Sequence, residues 1–317
     1  MNYLKLKKIV ESGLCIKCGA CTIICPTNKI IIHDNLVSFN RDVSCKECGL
    51  CFSVCPKSSA KKAGLGEFIE IHSAKSRRFF GQDGGIATEV LVSALELKII
   101  DVAIAVNKDK NWRPLPVIAT SIESVEKCKF TKFGETPIFS LLPKVMDKKI
   151  GIIGPACITT TARTLQKLKY NNIKLIVGLF CTENFSYEKL AKFLQDRGVV
   201  LSEIKKIDVK KEFFRILETN RIFTFELKEL KNFVLPGCKF CHDFCAVDAD
   251  VSIGSSGSEE GYSTLIIRNK IGKKIFNYMK EKNYILLSEV DLKSIEKMAR
   301  KKMLSNPKSD LFPTLAN

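Results

Sequence analysis

From about residue 67 the chain alternates apolar runs with amphipathic stretches. Apolar runs at 99–106, 148–154 and 173–181 read as strands bounded by polar or glycine-containing turns. The segment GQDGGIATEVLVSALE places a glycine-rich turn (Gly81, Gly84, Gly85) directly ahead of a helical stretch, and GPACITTTARTLQKL repeats that turn-then-helix order after the strand at 148–154. A further helix is predicted around 187–197, strands at 250–253, 263–268 and 284–287, and helices at 271–282 and 291–303. Strand–turn–helix alternation of this kind predicts an α/β domain with a largely parallel sheet. The first 66 residues follow another pattern. Two short apolar runs, 29–33 and 36–39, flank Asp34 and Asn35 as a β-hairpin would, and SSAKKAGLG at 58–66 reads as a linker.

With 317 residues, 45% of them apolar and 27% charged, the chain has material for one large or two medium domains with buried cores. No apolar run reaches the roughly 18 residues needed to span a membrane. The charges in MNYLKLKKIVESG interrupt any secretory apolar region. The expectation is a soluble cytoplasmic protein, at most peripheral to a membrane complex. Lys and Arg total 51 against 34 Asp and Glu, a net charge of +17. The basic residues are scattered, so the excess reads as a solvated lysine-rich surface that also favours an anionic partner.

Fourteen cysteines without a signal peptide point to metal or redox chemistry. Eight of them form two copies of one pattern: Cys15, Cys18, Cys21 and Cys25 before Pro26, and Cys45, Cys48, Cys51 and Cys55 before Pro56. This is the bacterial-type ferredoxin run, in which three cysteines of one copy and the last of the other hold each [4Fe–4S] cluster. By that rule Cys15, Cys18, Cys21 and Cys55 hold one cluster, and Cys45, Cys48, Cys51 and Cys25 the other. Gly19 and Gly49 let the backbone turn closely within each copy. Zinc also accepts four thiolates, but it has no need of three cysteines at this spacing plus a fourth before proline, twice. Residues 1–66 are therefore expected to be an α+β two-cluster ferredoxin module, and 67–317 a separate α/β domain.

Of the other six cysteines, Cys157 and Cys181 fall at C-terminal strand ends, where open α/β sheets place ligands. Cys238 and Cys241 share a loop after Pro236 and Gly237. These four suit a third cluster; alternatively Cys157 and Cys181 are small buried apolar residues and the loop pair a zinc half-site or redox pair. Cys128 reads as structural. The glycine-rich turn can hold a phosphate, but GxGxxG and GxxxxGK[ST] are absent, which excludes a standard nicotinamide Rossmann site and a P-loop. The CxxxCxxC of radical-SAM enzymes is absent too, and the ferredoxin spacing with few interleaved aromatics argues against nucleic acid. His33, His72 and His242 are too scattered for a general base.

The segments GQDGGIATEVLVSALE, VEKCKFTKF, GIIGPACITTTARTL, VGLFCTENFSYEKL and CKFCHDFCAVDADVSIGSSGSEEGYSTLIIR resemble, in this order, the β subunits of the coenzyme F420-reducing hydrogenase family. The likeness covers about residues 67–310. With the fused ferredoxin module, the chain looks most like the F420H2 dehydrogenase F subunits and the N-terminal half of F420-dependent sulfite reductases. The resemblance implies a flavin-binding α/β domain with FAD, coenzyme F420 as substrate and a cluster on Cys157, Cys181, Cys238 and Cys241. It makes Gly84, Gly85 and Thr88 FAD contacts, sets Lys129 and Lys132 near the flavin or its phosphates, and puts Gly154 and Pro155 beside it. The family usually has another residue where Cys245 stands, which leaves a swapped ligand open. It further implies a hydride exchanged between F420H2 and FAD, with single electrons passing through the clusters to ferredoxin or a redox enzyme subunit or complex. No catalytic side chain is required. The rival reading is a non-catalytic polyferredoxin-type electron-transfer subunit without flavin.

Overall fold

A computed structural model describes residues 2–58 and 63–305. The expected linker at 58–66 lies partly, at 59–62, outside the described residues. At the N-terminus helix α1 (Asn2–Glu11) buries Leu6 and Ile9. Each cysteine run then makes a loop followed by a short helix, α2 (Ala20–Ile24) or α3 (Leu50–Ser53). The repeat extends to backbone conformation. Gly19 and Gly49 enter these helices at φ +84° and +76°, and two residues earlier Lys17 and Glu47 hold φ 58° and 51°. For a residue with a Cβ this region is sparsely populated. Here it aims the Lys17 and Glu47 N–H groups at the sulfurs of Cys15 and Cys45, each 3.3 Å away. Strands β1 (Ile30–His33) and β2 (Leu36–Phe39) form the expected hairpin. Asp34 and Asn35 both take positive φ, as its type I′ turn demands.

The later strands are β3 (Glu70–Ser76), β4 (Val102–Lys108), β5 (Pro114–Ala119), β6 (Ile150–Pro155), β7 (Ile173–Leu179), β8 (Lys206–Lys210), β9 (Phe213–Leu217), β10 (Ile222–Glu226), β11 (Val251–Gly254), β12 (Ser263–Ile267) and β13 (Ile285–Ser288). The helices among them are α4 (Ile86–Glu96), α5 (Ile122–Glu126), α6 (Ala156–Leu168), α7 (Tyr187–Gln195), α8 (Lys270–Glu281) and α9 (Leu292–Ser305). Eight strands make one sheet in the order β13-β3-β12-β11-β7-β6-β4-β5. The expected largely parallel sheet is corrected to a mixed one. Only β11, β7, β6 and β4 run parallel, while β5, β12, β3 and β13 join antiparallel. The connections explain it: β4–β5 and β11–β12 are joined by loops too short for the crossover a parallel neighbour needs.

Helices α4 and α8 cover one face of this sheet, with Ile86, Val90, Ile275 and Phe276 packed on Leu175, Val177, Val251 and Leu265. Helix α6 and a 3₁₀ segment, Ile138–Val145, cover the other. The ferredoxin module joins this second core through Leu6, Ala20, Ile24, Ile30 and Val54. A separate three-stranded antiparallel sheet, β8 to β10, packs with α7 around Phe185, Leu190 and Phe214. Among the described residues no helix is long and apolar enough to cross a membrane.

Candidate functional site

Twelve cysteines gather into three sets. The first unites Cys15, Cys18 and Cys21, from the first loop and α2, with Cys55 from beyond α3. Burial pushes the Cys18 thiol well up, and the neighbouring Cys21, Cys15 and Cys55 add to it. Burial, with Cys15 and Cys51 adding, pushes Cys55 up to about 12. In the second set Cys51 is pushed up to about 11 by burial, with Cys25, Cys45 and Cys48 adding. Cys25 differs. Burial opposes its thiolate, but hydrogen bonds from Thr27, Lys29 and Ile30 outweigh burial and lower it.

The third set lies at the C-terminal edge of the parallel strands. Cys157 stands in the first turn of α6, just after β6, and Cys181 two residues beyond β7. Cys238 and Cys241 belong to the 3₁₀ turn Pro236–Phe240 and its end. Burial pushes Cys157 up to about 12, and Cys241 and Cys238 add to the shift. Cys181 is likewise raised by burial and by Cys238, Cys157 and Cys241. Cys245 stands apart, buried with Phe244, Ile266, Ile295 and Ala299. After burial, its acting neighbours are Arg268 and Asp243 rather than other thiols. Cys128 donates to the Ser124 carbonyl at the end of α5, and His242 Nδ1 bonds the Met303 carbonyl.

Among the described residues no three His, Cys, Asp or Glu groups stand close enough to share one metal ion. The four thiols of each set match the ligand number of an iron–sulfur cube.

The cofactor-binding candidates fall in two places. Gly84 packs against strand backbone: its N–H donates to Ser263 Oγ at 3.0 Å, and a Cβ there would lie 2.5 Å from the Ala74 carbonyl oxygen. Gly85 opens α4 at φ +72°, and Thr88 is buried in the first turn. Gln82, which the sequence did not single out, is the hub of this turn. Its side-chain amide donates to Ile207 O and Asp208 Oδ1 and accepts from Thr131 N–H, all at 3.1 Å, while Lys206 Nζ donates to its backbone carbonyl at 2.7 Å. The turn, the 128–133 loop and β8 are thereby tied together. In that loop Lys129 pairs with Glu126. Lys132 donates to the Cys128 and Lys129 carbonyls, and burial lowers its pKa to about 8. Gly154 and Pro155 form the joint of β6 and α6; a Cβ on Gly154 would lie 2.8 Å from Ile158 Cβ.

One segment links these places. Thr131 bonds Gln82 at the glycine turn. Gly134 exchanges two 2.9 Å hydrogen bonds with the Asn184 side chain, and the Asn184 N–H donates to Cys238 Sγ at 3.4 Å. Glu135 accepts from Lys17 Nζ at 3.0 Å, and the Phe139 N–H donates to the Cys18 carbonyl at 3.0 Å. Residues 131–139 thus run from the glycine turn past the third thiol set to the first.

Residues 7–56 match the 4Fe-4S dicluster domain. Residues 71–143 and 147–293 match the N-terminal and C-terminal parts of the coenzyme F420 hydrogenase/dehydrogenase beta subunit. The chain is 34% identical to a coenzyme F420-dependent sulfite reductase of Methanocaldococcus jannaschii over 96% of its own length, but spans about half, 51%, of that protein. It is 33% identical to the beta subunit of the coenzyme F420 hydrogenase of Methanosarcina barkeri, covering 77% of this chain and 92% of that one. It is 26% identical to the F-type component of the F(420)H(2) dehydrogenase of Methanosarcina mazei, covering 89% and 87%. A chain from the solved F420-reducing [NiFe] hydrogenase complex of Methanosarcina barkeri superposes with TM-score 0.73 at 32% identity, over 77% of this chain and 91% of that one. The chain belongs to the coenzyme F420 hydrogenase/dehydrogenase beta subunit family and carries a 4Fe-4S dicluster module at its N-terminus.

Proposed function

We propose that this chain is a coenzyme F420-dependent oxidoreductase unit, which exchanges a hydride between F420H2 and FAD and single electrons with a ferredoxin or partner redox complex. Its ferredoxin module is assigned to 1–66 and its FAD domain to 67–317. The observation that carries the reading is the presence of three four-thiol sets, the third joined through Asn184 and Gly134 to the loop that fixes the glycine turn. The family membership and the printed names of the relatives supply the deazaflavin. When bound, FAD supplies the interchange between hydride and single electrons, and each cluster carries one electron.

The chain's residues bind, space and shield. The assignments are Cys15, Cys18, Cys21 and Cys55 for one cluster, Cys45, Cys48, Cys51 and Cys25 for the second, and Cys157, Cys181, Cys238 and Cys241 for the third. Gly85, Thr88 and the remaining N–H groups at the start of α4 offer a cradle for a flavin phosphate. The Gly84 N–H, committed to Ser263, supports the turn instead. Lys129 and Lys132 line the adjoining loop, and Gly154 and Pro155 the joint below Cys157. Hydride exchange between two ring systems needs no side-chain acid or base, so none is assigned.

The test is spectroscopic and kinetic. Protein reconstituted anaerobically with FAD and iron should oxidise reduced deazaflavin with a viologen as acceptor, reduce the oxidised form with reduced viologen, and show no comparable rate with NADH or NADPH. Equal turnover with a nicotinamide, or a purified protein that takes up no flavin, overturns the reading.

A further inference from the structure

Among the described residues, Lys57 and Lys302 are the only buried lysines or arginines, at 3% and 6% exposure. A buried ammonium costs several kcal/mol unless an anion compensates it. Yet among the described residues neither is paired with a carboxylate. Each donates instead to one backbone carbonyl beside a cysteine. Lys57 Nζ donates to Gly237 O at 2.7 Å, one residue before Cys238, and Lys302 Nζ, from α9, donates to Thr182 O, one residue after Cys181.

Lys57 also stands two residues beyond Cys55, so it lies where the first and third thiol sets face each other. On the other side its stem packs on Gly237, with Cε 3.2 Å from where a Cβ on that glycine would stand, directly beside Cys238. Lys302 reaches the third set from α9, through the Thr182 carbonyl next to Cys181. Two buried cations without carboxylates, one between two thiol sets and one beside a single set, are placed for anions that those sets carry.

We propose that Lys57 is an electrostatic bridge between the two inner cluster sites, holding up the reduction potentials of both, and that Lys302 does the same for the third site alone. The proposal rests on the three-cluster reading above. One electron entering a site ringed by four thiolates adds one negative charge, and a fixed ammonium at short range stabilises that charge in a poorly hydrated surrounding. Because Lys57 serves both sites, it raises the two together. The difference between the two potentials, which sets the balance of one-electron transfer between the sites, is then left unchanged. Lys57 and Lys302 are positioning residues in this scheme, since neither touches the flavin or the substrate.

The experiment is a potentiometric titration of the anaerobically reconstituted full chain, followed by electron paramagnetic resonance, with iron measured in parallel. Lys57→Met should lower two midpoint potentials and leave the third unmoved; each tenfold fall in the reduced-to-oxidised ratio at fixed potential corresponds to about 59 mV for a one-electron couple. Lys302→Met should lower one midpoint, and that one should be among the two. Lys57→Arg, which keeps the charge, should stay near the wild-type values. Lys57→Gln, which can still donate to Gly237, should follow Lys57→Met. If Lys57→Met fails to load iron, Lys57→Gln and Lys302→Met carry the same test. Unmoved midpoints in a fully loaded charge-removing variant at Lys57, or an equal shift of all three, overturn the proposal. The underlying reading fails separately: wild-type protein with about eight irons instead of about twelve has no third cluster. In that case Lys57→Met must still lower one of the two remaining midpoints for the bridge to stand on its ferredoxin side.

Discussion

A Cβ at Gly85 would lie 2.1 Å from the Phe79 carbonyl oxygen, and the backbone there holds φ +72°. Two costs therefore meet at one residue. The left-handed conformation alone costs a residue with a Cβ about 1–2 kcal/mol. Gly198 offers the comparison, since it has φ +81° with nothing within 4 Å of the added atom. Gly198→Ala should lose only the conformational part, whereas Gly85→Ala should lose clearly more, because a backbone carbonyl cannot step aside as a side chain can. Urea unfolding of both variants against wild type checks this, and equal losses would show that the turn opens freely. Sequence alone exposed the glycines of this turn and the eight N-terminal cysteines, because their signal is local spacing. It did not expose Gln82, Asn184 or Lys57. Their partners lie 49 or more residues away, and nothing in the flanking residues records such contacts. The unexpected use of the Gly84 N–H has the same origin, for Ser263 reaches it across 179 residues.

At the scale of elements, the strand before the glycine turn is clamped to the helix after it. Glu89 of α4 is fully buried and accepts from Arg78 Nη2 at 2.5 Å, from Ser76 Oγ at 2.7 Å and from Ser93 Oγ at 3.1 Å. Arg78 also reaches Glu96 at 2.7 Å and lies over the Tyr284 ring. Removing one partner of such a pair leaves a buried charge alone, which costs about 3–5 kcal/mol. Arg78 is partly exposed, so Arg78→Met should fall near the lower end. The double variant Arg78→Met/Glu89→Gln should recover part of the loss, since it removes the stranded charge. A double-mutant cycle in urea measures this, and additive losses would count against the clamp. The elements that the sequence revealed, β1, β2, β4, β6, β7, β11, β12, β13, α4, α6, α7, α8 and α9, are those whose apolar runs or helical periodicity stand out between turn residues. The small sheet β8 to β10 escaped, although Ile207, Val209, Phe214, Ile216, Phe223 and Phe225 alternate as strand residues should. Its strands have only five residues each, and short runs among many charges weaken the periodic signal. The antiparallel edges of the large sheet were hidden for another reason. Strand direction depends on which loops are too short for a crossover, and an apolar run reads the same in both directions.

For the molecule as a whole, the decisive quantity is how many clusters one chain holds, because the ferredoxin spacing and the third thiol set make separable contributions. The N-terminal eight cysteines account for about eight irons, and the proposed third cube on Cys157, Cys181, Cys238 and Cys241 would bring the total to about twelve. These last four come from α6, the end of β7 and the turn at Pro236–Phe240, so no local pattern joins them. The parallel order of β6 and β7 is what brings Cys157 and Cys181 to the same edge. The Cys238→Ala/Cys241→Ala variant should lose about four irons of the twelve and keep both ferredoxin clusters. Cys245→Ala should lose none, because that thiol packs with Phe244 and Ile295 away from the third set. Flavin uptake should persist in the double variant, since the glycine turn is fixed by Ser263, Ser76 and Gln82 rather than by the thiols. Electron delivery from reduced deazaflavin to a one-electron acceptor through the ferredoxin module should then collapse, while reduction of the flavin itself continues. A double variant with unchanged iron and unchanged delivery would mean that the four thiols are structural, and that the ferredoxin module receives electrons by another route.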